Sequence, residues 1–361
     1  MAETGPSVLV IGAGIIGASA AFALQKAGAR VRIVDDGAEV ATAASFGWIN
    51  ASFHHDAAHF RLRSAGMAAW DRLGDALDLP VAKQGTLCWE ETGASFDAQR
   101  DQLSALGYGV EEVDAAAFAA LEPHVANPPA RALWFKQEAS VDSGTATQTL
   151  LDGALAAGAK RLRGLRVEGL VEQAGRITGI RTQAGTLHVD HILIAAGTGS
   201  AVLMALAGAP LPMVRRPALM LRTRPLRPVL THILVSDFGE LRQLANGSLL
   251  MPAAVDHQGD TAESVGDDLE GTAAQVMARL RALLPDLPLE WETLTLAHRP
   301  VPQDGLPVIG AVRAGLHVAC MHSGITLGAL AGELVAQEVL EGVSNRTGAL
   351  LAPYRPERFK E

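Results

Sequence analysis

The sequence predicts an α/β fold in which distant parts of the chain build one parallel sheet, joined to an α+β portion with antiparallel strands. Three observations support this prediction. An apolar strand enters a glycine turn at 8–17, a second apolar strand enters another glycine turn at 191–199, and a third at 316–321 precedes a helix. Strands covered on both faces of a parallel sheet read as continuous apolar runs of this kind.

The first element is a strand–turn–helix–strand unit that ends at Asp35. Gly12 permits the tight turn, Gly14 lets a pyrophosphate approach the backbone, and Gly17 lets the helix pack closely on the strand. Amides at the helix start face the phosphates, and a carboxylate roughly 20 residues beyond the glycines binds ribose hydroxyls. The unit predicts a Rossmann-like dinucleotide-binding domain; the alternative is a glycine-rich turn in an unrelated α/β protein. The predicted cofactor-binding residues here are Gly12, Gly14, Ile15, Ile16, Gly17 and Asp35.

The remaining elements follow from hydrophobic periodicity and turn residues. Helices are predicted near 60–77, 95–106, 145–157, 269–284 and 324–340, and strands near 82–89, 165–172, 177–182, 186–189 and 316–321. A further strand runs into the glycine turn within 191–200, and antiparallel strands are predicted between 210 and 296. The predicted nucleotide-binding domain comprises 1–49, 141–209 and 297–345, the substrate domain comprises 50–140 and 210–296, and 346–361 form a C-terminal tail.

Composition excludes several classes of function. A formal net charge of −9 argues against nucleic-acid binding, which normally needs a basic face. Cys88 and Cys320 are too far apart for a disulfide framework or a metal-ligand spacing, so no metal is expected. The apolar run at 8–24 lacks a basic start and is interrupted by glycines, which argues against a signal peptide or membrane span and favours a cytoplasmic protein.

Four segments together resemble the family of D-amino-acid oxidase and glycine oxidase-like FAD-dependent oxidoreductases. They are the N-terminal unit with Asp35, the sequence Glu138–Asp142 before a helix, the strand and turn at 190–197, and Arg299–Gly310 with His322–Leu327 beyond it. The segments occur in family order over nearly the whole chain.

The resemblance implies that the dinucleotide is FAD, bound noncovalently because Ala297 stands where some members carry a flavin-linking cysteine. It implies that the loop at 42–48 passes between phosphates and isoalloxazine, and that the helix start at 324–326 stabilises the reduced flavin. The alternative for that helix start is an ordinary cap by Ser323 or Thr326. The further cofactor-binding residues are Thr42, Ser45, Gly47, Trp48, Val167, Ala195, Gly197, Gly310, Ser323, Gly324, Ile325 and Thr326.

The resemblance also implies a catalytic set. Arg299, held extended by the following proline, matches an arginine that pairs with a substrate carboxylate; the alternative is a structural salt bridge with Asp304. Arg242 matches an arginine on a sheet that roofs the substrate cavity. His298 and His322 flank the matched motifs, so either faces the flavin or serves as a structural histidine.

The expected reaction is oxidation of the C–N bond of an amino acid or secondary amine, with O2, a quinone or another carrier as electron acceptor. No lysine occurs between Lys160 and Lys360, where sarcosine-oxidase-like members carry an oxygen-activating lysine, which favours a dehydrogenase. Three alternatives stay open: a flavin subunit that needs partner subunits, a non-catalytic nucleotide-binding module, and an NAD-dependent dehydrogenase.

Overall fold

The computed structural model describes residues 5–38, 41–256 and 261–360. Residues 1–4, 39–40, 257–260 and 361 of the predicted domains lie outside this range. The strands are β1 (Ser7–Ile11), β2 (Arg30–Asp35), β3 (Trp48–Ile49), β4 (Thr86–Cys88), β5 (Glu111–Asp114), β6 (Arg131–Phe135), β7 (Ala139–Ser140), β8 (Lys160–Arg163), β9 (Val167–Gln173), β10 (Arg176–Thr182), β11 (Gly185–His188), β12 (His191–Ile194), β13 (Met213–Val214), β14 (Pro217–Thr223), β15 (Ile233–Ser236), β16 (Gly239–Gln243), β17 (Leu249–Pro252), β18 (Trp291–His298), β19 (Val301–Pro302), β20 (Val308–Arg313) and β21 (Leu316–Cys320). The α-helices are α1 (Ile15–Lys26), α2 (Ala57–Leu77), α3 (Gly93–Ala105), α4 (Ala115–Leu121), α5 (Ser143–Ala156), α6 (Ser200–Leu206), α7 (Leu269–Leu283), α8 (Gly324–Glu341) and α9 (Asn345–Leu351).

A six-stranded sheet has the order β20-β21-β12-β1-β2-β8 and draws its strands from the start, middle and end of the chain. The central strand β1 runs parallel to both neighbours, with Val8 opposite Val31 on one side and His191 on the other. Residues 8–10 are fully buried, as expected for a strand covered on both faces. The predicted α/β fold is confirmed.

An eight-stranded sheet forms the second layer, in the order β18-β14-β17-β16-β15-β4-β6-β5. Its strands are antiparallel, except that β15 runs parallel to β4. The strand predicted at 82–89 is shorter, Thr86–Cys88, and Ala82 forms only an isolated bridge to Ser140. The domain limits stay a prediction.

The meander predicted after Leu165 is confirmed as the antiparallel strands β9, β10 and β11. The sequence did not predict α4, β5, β6 and β20. The helix α4 and the strand β5 are short and mostly exposed, so they show no clear apolar period.

The C-terminal segment packs against the body of the protein. Leu351 and Tyr354 are almost completely buried in the same core as α1 and α8. Arg355 donates to both carboxylate oxygens of the buried Glu338, at 2.6 and 2.5 Å. The residues predicted as a tail therefore close one side of α8.

Candidate active site

The glycine turn after β1 has the geometry that its sequence predicts. Gly12 has φ +110°, and its amide donates to the carbonyl of Val34 at 2.8 Å. A Cβ at Gly12 would lie 2.3 Å from the carbonyl oxygen of Ala195, and one at Gly17 would lie 2.0 Å from that of Gly12. Both positions exclude a side chain because the nearest atoms belong to the backbone.

Two helix N-termini meet beside this turn. A Cβ at Gly324, the first residue of α8, would lie 3.7 Å from Ile15 Cγ2 and 3.8 Å from Ile16 Cδ1 in the first turn of α1. Neither N-cap residue, Gly14 or Ser323, makes a side-chain capping hydrogen bond. Two partially positive helix ends therefore converge on one place, which suits a phosphate or a negatively charged ring.

The loop after β2 lies against the same helix start. Thr42 accepts a hydrogen bond from the amide of Ile15 through Oγ1 at 3.2 Å, and its carbonyl accepts one from Ser143 Oγ at 2.6 Å. Ser45 Oγ accepts from the amide of Gly47 at 3.2 Å. The loop is thereby fixed between α1 and α5.

Asp35 ends β2 with its side chain only 13% exposed and accepts from Arg161 Nε on β8 at 2.8 Å. The sequence did not predict this partner. An ionised carboxylate has about four lone-pair sites, so the pair with Arg161 orients Asp35 and leaves capacity for ribose hydroxyls. Ribose binding by Asp35 stays a prediction.

Four other predicted cofactor residues occupy three places. Ala195 and Gly197 follow β12, next to the glycine turn, and the amide of Ala195 donates to the carbonyl of Ile11 at 2.8 Å. Val167 begins β9. Gly310 lies on the edge strand β20, where a Cβ would be 2.6 Å from Arg355 Nη1. A side chain at Gly310 would therefore clash with the C-terminal segment, so the need for glycine there does not depend on a cofactor.

The start of α8 is tied to the loop by Thr326. Its hydroxyl donates to the carbonyl of Trp48 at 3.2 Å and accepts from the amide of Asn50 at 3.3 Å. The carbonyl of Ile325 accepts from Trp70 Nε1 at 2.7 Å. Thr326 therefore positions strand β3, and neither Ser323 nor Thr326 caps the helix in the way that the alternative required.

A buried arginine that the sequence analysis missed supports this corner. Arg63 on α2 donates from Nη1 to Ser323 Oγ at 2.6 Å and from Nε to the carbonyl of Asn50 at 3.1 Å, and Nη2 bonds Asn50 Oδ1. Burial lowers the pKa of Arg63 to about 10. The available signal was an arginine on the apolar face of a predicted helix, between Phe60 and Trp70.

A buried carboxylate holds the loop from the other side. Glu138 accepts hydrogen bonds from Trp48 Nε1 at 3.0 Å, Ser52 Oγ at 2.6 Å and Tyr108 Oη at 2.7 Å. Burial raises the pKa of Glu138. Trp48 is nearly enclosed, with Phe53 edge-on to its ring at 5.3 Å, so the indole packs in the core.

Arg242 on β16 is held by Ser140 and Val141 beside the loop, and its place above a substrate cavity stays a prediction. It donates to Ser140 Oγ at 2.8 Å and to the carbonyl of Val141 at 3.0 Å, and it is 3% exposed. Gly47 has φ +79°, and a Cβ there would lie 2.5 Å from Arg242 Nη2. Arg242 therefore fixes the loop position that only glycine can occupy.

Arg299 follows β18 and is buried, whereas His298 is exposed. The main-chain amide of Arg299 donates to the carbonyl of Arg216 at 2.9 Å, and its Nε approaches the same oxygen at 3.3 Å. Because side chains alternate along a strand, Arg299 continues the face of Thr293 and Thr295, and His298 points to the opposite face.

Asp304, the alternative partner of Arg299, and His322 have other contacts. Asp304 accepts from Arg358 Nε at 2.7 Å and from its Nη2 at 3.1 Å. His322 lies between β21 and α8, half-buried, and its carbonyl accepts from the amide of Gly324 at 2.8 Å. Its main chain therefore shapes the start of α8.

A cavity of about 220 Å³ separates the loop from the eight-stranded sheet. It is lined by Ala43, Ala44, Ser45, Met220, Arg222, Leu250, Thr293 and Thr295. A smaller one of about 120 Å³ lies at the start of β14, lined by Pro217, Ala218, Leu219, Ala253, Ala254, Ala262 and Val265. Small apolar side chains next to the backbone that anchors Arg299 suit a small organic ligand.

Comparison with known families decides the assignment. The model of the DAO family, described as FAD dependent oxidoreductase, matches residues 7–338. The chain belongs to this family. The predicted family, the predicted cofactor FAD and the oxidoreductase class are therefore confirmed.

Individual members of the DAO family differ in length from this chain. A bifunctional ThiO/ThiG protein of Nostoc sp. is 24% identical over 376 residues, which cover 94% of this chain and 53% of that protein. A second ThiO/ThiG protein, from Trichormus variabilis, is covered over 34% of its length. The chain thus spans a third to a half of these relatives.

Two members match over nearly their whole length. The glycine oxidase of Pseudomonas putida is 26% identical over 372 residues, covering 97% of this chain and 98% of that protein. The crystal structure of glycine oxidase from Geobacillus kaustophilus has a TM-score of 0.85 at 24% identity, with 99% and 100% of the two chains covered. The latter likeness establishes the fold.

The residues of this DAO-family chain fit FAD. A glycine cradle that a Cβ would fill lies at the start of α1, and the uncapped start of α8 faces it. These are the features that a pyrophosphate and the negatively charged reduced flavin require.

The described residues hold neither a metal-ligand cluster nor a membrane-spanning helix. Among the side chains that the structure describes, no group of three or more His, Cys, Asp or Glu could hold a metal ion. None of the helices in the described ranges has the length and apolar character needed to cross a bilayer.

Proposed function

We propose that this DAO-family protein oxidises the C–N bond of an amino acid or secondary amine. Bound FAD would supply the acceptor for a hydride from the carbon next to nitrogen, and water would then hydrolyse the imine to a carbonyl compound and an amine or ammonia. The observation that carries the proposal is the placement of Arg299. Arg299 is buried at the end of β18, whose Thr293 and Thr295 line the loop cavity, and its main chain pairs with Arg216, the neighbour of Pro217 in the lining of the smaller cavity.

Arg299 binds the substrate carboxylate in this proposal. A guanidinium is always charged and its planar fork matches two carboxylate oxygens. Pro300 and the hydrogen bonds to Arg216 fix where the side chain starts, so the bound carboxylate has a defined position. Positioning of the substrate carbon supplies much of the rate, because no acid or base is needed beyond deprotonation of the amine.

The helix ends supply the electrostatic part. The first amides of α1 and α8 present donors toward one place, and Arg63 adds a buried positive charge behind Ser323. These groups hold the phosphates and stabilise negative charge on the reduced ring. Hydrogen bonds from Thr326 and to Glu138 hold Trp48, and with it the loop, next to these helix ends.

We assign a noncovalent flavin and a carrier or quinone as acceptor. Ala297 cannot form a thioether, and both cysteines, Cys88 and Cys320, are buried. No lysine is present between Lys160 and Lys360 to activate oxygen. Acid precipitation should release the flavin into solution, and air should reoxidise the reduced enzyme slowly; rapid reoxidation contradicts the dehydrogenase assignment.

The test is anaerobic mixing of the FAD-loaded protein with a panel of amines and amino acids while flavin absorbance is recorded. Arg299→Met should raise the KM for a reactive amino acid by about 30-fold or more, since a buried charge pair is lost, with FAD content unchanged. Arg224→Met, at an exposed arginine beyond β14, is the matched control. Bleaching by no amine refutes the function, and an unaltered KM in Arg299→Met removes Arg299 from the substrate site.

A further inference from the structure

The eight-stranded sheet ends in an exposed edge strand. β18 pairs with β14 on one side, and no other strand of the described residues pairs with it. Most of its residues are exposed, including Trp291 at 43% and Leu296 at 42%. An edge strand of this length with exposed apolar side chains readily pairs with a strand of another chain.

The other three edges of the two large sheets are protected against such pairing. Three of the four residues of β5 are acidic, and three of the four residues of β8 are basic. The edge strand β20 is covered by the C-terminal segment, where Arg355 and Pro356 lie against Gly310. In β18 a bulge and the charge of Glu292 protect only the first two residues. Residues 293–297 contain no charged side chain and no proline, so this edge lacks the usual protection.

The main chain of this edge offers donors and acceptors to a partner. The amide of Arg299 donates to the carbonyl of Arg216, and in an antiparallel pair such bonded residues recur at every second position. The N–H and C=O groups of Leu294, Leu296 and His298 therefore point away from β14. Within the described part of the chain, no segment bonds to them.

The sequence of the edge selects a second copy of this chain as the partner. In an antiparallel pair with a two-fold axis at Thr295, Leu294 lies opposite Leu296 of the second copy, and Glu292 lies opposite His298 of the second copy. Apolar side chains then meet apolar ones, and a carboxylate meets an imidazole, which are favourable cross-strand pairs. The register also sets the outward-pointing main-chain groups opposite one another, as hydrogen-bonded pairs require.

We propose that the outer edge of β18 is the interface of a symmetric dimer in which the sheet continues from one copy into the other. An isologous contact of this kind closes at two copies. One strand pair is a small interface, so the expected Kd is about 1–100 μM. Thr293 and Thr295 also line the loop cavity, and the second copy therefore borders that cavity. The proposal does not depend on the reaction that the protein catalyses.

The first experiment measures the mass of the FAD-loaded protein by sedimentation velocity, at concentrations up to about 200 μM, above the expected Kd. The unaltered protein should pass from monomer to dimer in this range. Leu296→Lys should raise the Kd at least about tenfold, because lysine is a residue with which native edge strands avoid pairing. Val343→Lys is the matched control, at an apolar residue that is 66% exposed and lies outside β18, and it should dimerise normally.

The second experiment tests the register by cross-linking. Thr295 lies opposite itself in a non-hydrogen-bonded pair, with the two Cα atoms about 4.5 Å apart, a separation that a disulfide spans. Thr295→Cys should therefore form a covalent dimer on mild oxidation, whereas both native cysteines are buried. Thr293→Cys should not cross-link alone, but it should cross-link when mixed with Ala297→Cys.

Two results would overturn the proposal. One is a protein that stays monomeric at about 200 μM, well above the expected Kd. The other is a dimer in which Thr295→Cys forms no disulfide, since the copies then meet elsewhere. The cross-links decide the question even if Leu296→Lys fails to fold. Neither result bears on amine oxidation, which the flavin absorbance tests separately.

Discussion

At the scale of single residues, three glycines of one turn serve different purposes. Gly12 and Gly17 face backbone oxygens at distances that no Cβ tolerates, whereas a Cβ at Gly14 would meet only Thr42 Oγ1, at 3.2 Å. Gly14 has φ −73°, which any residue adopts. Gly12 and Gly17 are therefore required by the fold, whereas the proposal for Gly14 is that FAD approaches the helix start there.

The glycines can be separated by substitution. Gly17→Ala should lower the free energy of unfolding of the apoprotein by about 1–3 kcal/mol, because the added methyl group overlaps the Gly12 carbonyl. Gly14→Ala should leave apoprotein stability within about 1 kcal/mol and weaken FAD binding by about tenfold or more. Urea unfolding of both apoproteins and FAD titration measure the two effects. A Gly14→Ala variant with normal FAD affinity would contradict the role given to Gly14.

The sequence predicts the role of a residue when that role depends on neighbouring residues in the chain. The glycine turn and the carboxylate at the end of β2 are readable because the motif is contiguous in sequence. The partners Arg161 for Asp35, Arg358 for Asp304 and Ser323 for Arg63 are not, since each pair joins residues far apart in the chain. Charge pairing across a fold has no periodicity, so the sequence shows the charges but not the pairs.

At the scale of elements, the short strand β3 depends on α8. Thr326 is 2% exposed, and its hydroxyl satisfies the carbonyl of Trp48 and the amide of Asn50 together. A two-residue strand has few hydrogen bonds of its own, so this side chain does much to fix the loop.

Thr326→Val should therefore lower the free energy of unfolding by about 1–3 kcal/mol, because the isosteric side chain leaves two buried backbone groups without a partner. The measurement is urea denaturation, with Thr186→Val on the exposed hairpin strand β11 as control. A loss in Thr326→Val no larger than in the control would show that the loop is held by other contacts.

Elements with long apolar periods were predicted well. The helices α2, α5, α7 and α8 begin or end within a few residues of their predicted limits, and β12 and β21 lie where continuous apolar runs predict buried strands. Short elements were not predicted. For example, three of the four residues of β5 are acidic, and all but Val113 are exposed. This strand forms because it pairs with β6, and its own residues have no preference for strand structure.

At the scale of the whole molecule, two buried histidines contribute to the loss of stability in acid. Burial, aided by the charge of Arg63, lowers the pKa of His59 from 6.5 to about 3. Burial also lowers the pKa of His317 to about 4. The unfolded chain binds protons at these positions below about pH 6.5. The folded protein does not until about pH 3–4, so stability falls as the pH drops through this window.

Each histidine contributes a slope of up to about 1.4 kcal/mol per pH unit. His59→Gln should therefore reduce the loss of unfolding free energy between pH 6 and pH 4 by about 2 kcal/mol relative to the unaltered protein. Urea denaturation at a series of pH values measures the slopes, with the exposed His188→Gln as control. Identical slopes for His59→Gln and the unaltered protein would place the acid sensitivity elsewhere.

The strand order of the six-stranded sheet also bears on folding. β1 lies far from its partners along the chain, since Val8 pairs with His191 and β12 in turn pairs with β21. Such long-range pairing is slow to form and exposes apolar edges until the late strands arrive. The glycine turn after β1 and the turn after β12 can therefore form one pocket only after these distant strands have paired. A coenzyme that binds there is expected to select the assembled sheet and to stabilise it against unfolding.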